Sequence, residues 1–300
     1  MSIAVRVPVM TAERIETPTW QSLRRFAADR FSMVAAIVVL AFVLMAVLAP
    51  WLAPHDPYET DLLRRLQAPA WMEGGEWSYL LGCDALGRDI LSRIIYGSQV
   101  SITIGLAVVL IATVIGTVLG LAAGYMRGWV DIGISRLVDI LLGFPYLIFA
   151  IALMAMMGPG LQNIILALVY KEWVVPARVV RGEVLAAREM EYVEAARAVG
   201  APRLHIMFRE ILPNILSPVI VVSTIRMAHV IILEASLSFL GIGVQPPTAS
   251  WGSMVADGRA FILDAWWVCT FPGIAILFLV LSINVASQGL RDAFDPKFSD

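Results

Sequence analysis

Residues 188–214 read REMEYVEAARAVGAPRLHIMFREILPN, the most charged, helix-patterned stretch of a chain that is otherwise mostly hydrocarbon. Tyr192, Ala195, Ala196 and Val199 recur at helical spacing, with Glu191, Glu194 and Arg197 around the other side of the cylinder. Gly200 then ends the helix, because glycine accepts the left-handed conformation that closes many helices. Pro202 suits the first turn of a following helix, where its missing N–H costs nothing. Leu204, Met207, Phe208 and Ile211 fall at i, i+3, i+4 and i+7 until Pro213 closes the run. The stretch therefore predicts two short amphipathic helices joined by a tight glycine hinge.

What surrounds it is apolar. The 300 residues are 59% hydrophobic and only 15% charged, with a mean hydropathy of +0.79, whereas a soluble domain is about 25% charged. The chain reads as an all-α integral membrane protein. A net charge of −2 gives no long-range attraction for nucleic acid. Cys83 and Cys269 are too few for a disulfide framework and lack metal-ligand spacing.

Six transmembrane helices are expected, near 31–53, 98–125, 134–157, 161–180, 215–239 and 266–286. The first is too long for a signal-peptide core and reads as an anchor. Pro145 should kink the third span. Before the second, Asp89 and Arg93 stand four apart on what should be a short helix against the membrane face. The expected organisation is a tail, first span and periplasmic segment over 1–97, a five-helix core domain over 98–290 carrying the charged loop at 182–214, and a tail over 291–300. On this model 15 of the 22 Lys and Arg fall on the side of the N-terminus and five on the other, with Lys171 and Arg226 inside spans. The positive-inside bias then puts both termini and the helix pair in the cytoplasm, where a soluble partner can touch it.

The chain carries no nucleotide-binding G-x-x-x-x-G-K-[ST] run: Lys171 follows Tyr170 and Lys297 follows Pro296. It has no H-E-x-x-H, and His55, His205 and His229 are scattered. No G-x-S-x-G elbow or defensible carboxylate pair is present. Vectorial movement of a solute is the work that remains, with no catalytic residue, metal or directly bound cofactor expected.

Glu194, Ala195 and Ala196, followed by Gly200 and then Leu212 and Pro213, resemble the EAA signature of importer-type ABC transporter permeases. LGCDALGRDILSRIIYG (81–97), WVVPARVVRGEVL (173–185) and EASLSFLGIGVQPPTASWGSMVADG (234–258) narrow this to the second permease subunit of the dipeptide, oligopeptide and nickel transporter family. The pattern departs at Glu210, where an apolar residue is usual. The resemblance implies a type I importer transmembrane domain, MetI-like, with an extra N-terminal helix. It implies an inner-membrane location in a bacterium and a docking role for the EAA loop against an ATPase cleft. The implied partners are a homologous second permease, two ATP-binding subunits that use the ATP, and an extracytoplasmic substrate-binding protein. Di- or oligopeptides are the expected cargo, with nickel or another small solute on the same machinery as the alternative. From a different class, a proton-coupled secondary transporter would use Asp139, Glu172 and Glu234 as carriers, but no internal inverted repeat is evident.

Charges inside spans must face protein, water or an interface. Lys171 and Glu172 are candidates for the translocation path, though neighbours on a helix diverge by about 100° and cannot both point into it; a structural ion pair is the plainer reading of each. Glu234, where the family pattern has a glutamate, is a candidate for gating. Asp139 reads as the ion partner of a loop arginine. Gln245 and Trp251 could dock the binding protein, or form a rigid turn with Trp251 in the interfacial aromatic belt. Gly116, Gly120 and Gly124 make an i, i+4, i+8 stripe for close helix approach, within one subunit by default.

Overall fold

The structure is a computed structural model and describes residues 24–294. Arg6, Arg14 and Lys297, which enter the charge count above, lie outside the described residues, as does most of the expected N-terminal tail. Among the described residues the fold is helical, with a single isolated bridge between Cys83 and Asp89.

Helix α1 is Arg30–Val47, and Asp29 caps it by accepting from the Phe31 and Ser32 amides. Helix α2 is Ile90–Met126, 37 residues long. Helices α3, Gly128–Gly143, and α4, Tyr146–Met157, follow. Then come α5, Leu161–Glu172, α6, Val174–Ala187, and α7, Glu191–Ala198. Helix α8 is Leu216–Phe239, α9 is Trp251–Gly258 and α10 is Trp267–Phe294. Helices α1, α2, α8 and α10 are each long and apolar enough to cross a membrane, and α3 with α4 makes a fifth span if that bent pair is counted as one.

Two of the spans expected from sequence are broken. The bend between α3 and α4 is 92°. Its cause is Pro145, which has no N–H to continue a ladder and forces Phe144 before it into an extended conformation. The stretch 161–180 falls on two helices of 12 and 14 residues that meet at Trp173. Pro176 has no N–H to offer the Glu172 carbonyl, so the joint sits directly beside the paired charges.

The glycine stripe is the seam between α2 and α6. A Cβ on Gly116 would stand 2.6 Å from the Trp173 carbonyl oxygen and 2.7 Å from Pro176 Cβ. On Gly120 it would meet the Ala177 carbonyl at 2.6 Å, and on Gly124 the Val184 side chain at 2.8 Å. Three successive turns of α2 therefore touch α6 backbone to backbone, an approach that only glycine permits.

Helix α2 starts well before Ser98, and the expected Asp89–Arg93 pair on a separate short helix is not formed. Asp89 instead caps α2, accepting from the Ser92 amide at 2.8 Å. An orphan amide at a helix start claims the carboxylate first. Arg93 turns to Asp84 at 3.5 Å and to the Pro57 carbonyl at 3.0 Å, while Arg88 donates to Asp84 at 2.7 Å. These buried bonds staple the segment 54–89, whose one helical turn is the 3-10 turn Leu62–Arg64, onto the end of α2.

Candidate functional site

Helix α7 ends in a Schellman motif. Gly200, at φ +79°, donates to the Arg197 carbonyl at 3.0 Å, and Ala201 donates to the Ala196 carbonyl at 3.1 Å. The second helical segment begins at Arg203 and continues through Ile206–Ile211 with wider, π-type turns to Leu212–Asn214. The expected hinge is therefore present at Gly200, but the apolar faces are assigned differently from the sequence reading. Val193 is 0% exposed and packs with Val184, Ile206, Met207 and Ile211. Tyr192, Ala195 and Val199 point outward, with Val199 83% exposed, and only Ala196 of the expected set is partly covered. In the second segment Met207 and Ile211 go in, whereas Leu204 and Phe208 stay out. The pair thus has two apolar faces. One seats it on the bundle; the other, formed by Tyr192, Val199, Leu204 and Phe208, has no cover among the described residues. Glu194, Gly200 and Pro213 are exposed as well, and Leu212 is partly buried.

The seat is reinforced by charge. Arg188 donates to the Tyr125 carbonyl at 3.0 Å at the end of α2, and Arg197 donates to the Arg188 carbonyl at 3.1 Å. Both guanidinium groups lie over the Tyr125 ring, at 6.0 and 5.6 Å from its centroid. Arg127 pairs with Glu189 at 2.9 Å. Glu210, the departure from the family pattern, lies 3.5 Å from His205 and so finds a partner within its own segment. Sequence reasoning missed Val193, Arg188 and Arg197. The signal was available only in part: Val193 sits off the main apolar stripe, and nothing in a spacing pattern tells a helix with two apolar faces which one is inward.

A second polar group lies at the joint of α5 and α6. Glu172 is buried and accepts from Arg226 Nε, and its other oxygen is 3.8 Å from His229 Nδ1. Arg226 Nη2 lies 2.8 Å from the same His229 nitrogen. Lys171 points elsewhere, donating to the Phe144 carbonyl at the α3–α4 break with its ammonium 5.4 Å from the Tyr146 ring. The two neighbours thus diverge to different helices. Glu234 is 0% exposed and accepts from Ser101 Oγ at 3.1 Å and Ser238 Oγ at 2.8 Å, so in this conformation it opens to no path. Asp139, expected to pair with a loop arginine, makes no ion pair among the described residues; it is Asp131 that takes Arg181 of α6, at 2.6 and 2.8 Å in a two-pronged pair.

Trp251, expected at a docking surface or in an interfacial belt, presents no surface in this conformation. It is 0% exposed, donates to the Ile94 carbonyl at 2.9 Å, and meets Phe42 edge-on at 5.7 Å. Ser250 caps α9 and turns the indole inward against Gly97. Gln245 is exposed, but its amide is occupied with the Gly241 and Gly243 carbonyls at 3.1 Å each. Exposed apolar side chains on this end include Leu62, Leu63 and Trp77 of the 54–89 segment, and Ile262 and Leu263 between α9 and α10.

Comparison with known proteins agrees with this architecture. Residues 116–300 match the family described as binding-protein-dependent transport system inner membrane component. Residues 17–69 match the N-terminal TM domain of oligopeptide transport permease C. The chain is 43% identical over 281 residues to the di/tripeptide transport system permease protein DppC of Pseudomonas aeruginosa, covering 94% of this chain and 92% of that one. It is 42% identical over 297 residues to the dipeptide transport system permease protein DppC of Escherichia coli, covering 99% of both. Among solved structures, a chain of the MetNI methionine ABC transporter in an inward-facing conformation superposes with a TM-score of 0.57 at 19% identity, over 69% of this chain and 98% of that one.

Proposed function

The chain belongs to the family of binding-protein-dependent transport system inner membrane components and is a multi-pass permease subunit of an ABC importer; on that premise we propose that it carries di- or oligopeptides and is driven through the helix pair 191–214. The cargo reading rests on the two relatives named above, whose names specify di/tripeptides and dipeptides. The observation that carries the coupling reading is the uncovered apolar face of Tyr192, Val199, Leu204 and Phe208 on a loop that is otherwise rigidly clamped. A loop that merely connected two spans would gain nothing by holding apolar side chains in water. Docked in the cleft of an ATP-hydrolysing subunit, that face would be covered, with Glu194 and Gly200 at its edge. ATP-driven closure of two such subunits would then shift the helix pair and the spans attached to it, through contacts that differ between the two states.

The full assembly on this reading has a second permease, two ATPase subunits and an extracytoplasmic binding protein, with both termini of this chain in the cytoplasm. Leu62, Leu63 and Trp77 offer the binding protein its contact, in place of Trp251. Lys171, Glu172 and Glu234 are proposed as fixed elements near the pathway that hold its walls. Reconstitution of the assembly in vesicles tests the function. Uptake of radiolabelled alanyl-alanine should require ATP on the side of the helix pair and the binding protein on the other. Uptake driven by a proton gradient alone, with ATP and binding protein omitted, would overturn the reading.

A further inference from the structure

The group around Glu172 is more than an ion pair. Arg226 spends Nε on Glu172 and Nη2 on His229, which leaves Nη1 unengaged by the described residues. With Arg226 donating to Nδ1, the His229 ring carries its proton on Nε2, a second free donor. The imidazole is 40% exposed and the Arg226 side chain 18%, whereas Glu172 behind them is sealed. One Glu172 oxygen is buried with no hydrogen-bond partner. The group therefore presents the N–H donors of Arg226 and His229 on one open side, with the Glu172 carboxylate hidden behind them.

Its depth limits what that side can face. Helix α8 has 24 residues, and at about 1.5 Å per residue Arg226 and His229 lie roughly 15 Å or more from either end. Lipid headgroups do not reach there, and hydrocarbon would penalise an open imidazole and guanidinium, so this side faces a water-filled path or another protein subunit. We infer that Arg226 and His229, held in position by Glu172, form a contact within the pathway for the α-carboxylate of the passing peptide. An arginine already half-neutralised by Glu172 binds such a carboxylate weakly enough to release it, which a transport site must do. Arg226 and His229 touch the cargo; Glu172 is a positioning residue.

The inference rests on the peptide-importer reading, and the test separates the two. In reconstituted assemblies, alanyl-alanine uptake and ATP hydrolysis stimulated by the loaded binding protein are measured together. The Glu172→Gln/Arg226→Gln double variant removes the pair without stranding a buried charge. It should keep stimulated hydrolysis within about twofold and lose at least about tenfold in peptide moved per ATP, the scale of one charge-assisted hydrogen bond. His229→Leu, which leaves the ion pair in place, should lose several-fold by the same measure. Wild-type coupling in both variants overturns the inference and leaves the importer reading standing. Failure of the second permease to co-purify with His229→Leu would place the group at a subunit seam and also overturn it. Absence of ATP-dependent uptake by the wild-type assembly would refute the function itself, and this inference with it.

Discussion

Valine occurs on both faces of the helix pair, which allows one chemical change to be made in two settings. Val193→Ala and Val199→Ala each remove two methyl groups. At Val193, fully buried among Val184, Ile206, Met207 and Ile211, the lost transfer energy is about 1.6 kcal/mol at ~0.8 kcal/mol per carbon. The cavity left behind brings the cost to roughly 2–3 kcal/mol. At Val199, 83% exposed, the folding cost should stay within about 0.5 kcal/mol. If an ATPase cleft covers that side chain, however, its loss should weaken docking by roughly 1–1.5 kcal/mol, about tenfold in Kd. The assay has two arms. Thermal unfolding of the purified permease reads the first effect, and titration of the ATPase subunit onto it reads the second. Val193→Ala should lower the unfolding midpoint and Val199→Ala should not, whereas Val199→Ala should raise the docking Kd. Equal destabilisation by both, with docking unchanged, would refute the two-face assignment on which the coupling role depends.

Gly120→Ala should destabilise the bundle by about 1–3 kcal/mol through overpacking against the Ala177 carbonyl, whereas Gly133→Ala, whose new methyl meets open space, should not lower the unfolding midpoint. Trp251→Ala should cost about 3–5 kcal/mol in stability, while Trp77→Ala should leave stability unchanged and weaken binding-protein affinity; the reverse pattern would restore Trp251 as the docking residue. Burial foremost, with the carboxylates of Asp89 and Asp84 adding to it, pushes the Cys83 thiol up to about 12, so a maleimide at pH 8 should label it only after denaturation. Since the unfolded thiol ionises first, the group's contribution to stability is present below about pH 8.5 and declines as pH rises through its folded value. At Gly200 the added Cβ meets nothing and the strain is conformational alone, so Gly200→Asn should be tolerated and Gly200→Val should cost more than about 1 kcal/mol, read as a lower unfolding midpoint.

Four of the six expected spans, and the hinge, were legible because they depend on local properties. A run of about twenty apolar residues has few fates, and a glycine between a helix end and a proline has few conformations. The joint at Phe144–Pro145 was legible as a proline, but not in its size, because a 92° bend is decided by what the two arms pack against; the joint at Trp173 was not foreseen, since 161–180 read as one span. Trp251 shows the opposite failure. An indole in a polar loop near two prolines suggests a surface anchor, yet Ser250 caps α9 and turns the ring into a slot over Gly97, where it donates to the carbonyl of Ile94, 157 residues away in the chain. Asp89 failed for a related reason: i, i+4 spacing identifies a pair only when neither member has a better partner, and a helix N-terminus was the better one. Inward and outward apolar faces of α7 could not be told apart because spacing records periodicity and not direction.

The joints and the seams together define what can move. Only Arg188, Glu189 and Met190 separate α6 from α7, and Arg188 and Arg197 tie that junction to the end of α2. Through three glycines α6 is in turn locked to α2. Helices α2, α6 and α7 therefore make one stiff lever, since at this seam the glycines of α2 meet the α6 backbone and the short, branched or ring side chains of Pro176, Val180 and Val184, with no long side chain to yield. The compliant points are the breaks at its borders, at Trp173 and at Pro145, where helix hydrogen bonding is interrupted. Glu172 sits on the first break and reaches across to Arg226 on α8; Lys171 reaches to the second, at the Phe144 carbonyl. A push on the helix pair at one end of the lever is thus delivered, at its other end, to the two residues that hold Arg226 and the α3–α4 bend in place. Glu172 stands on the α5 side of that break, so α6 can rotate about Trp173 while the Glu172–Arg226 pair stays closed. If the helix pair is the driven element, its movement would bend the chain at the two joints that Glu172 and Lys171 hold.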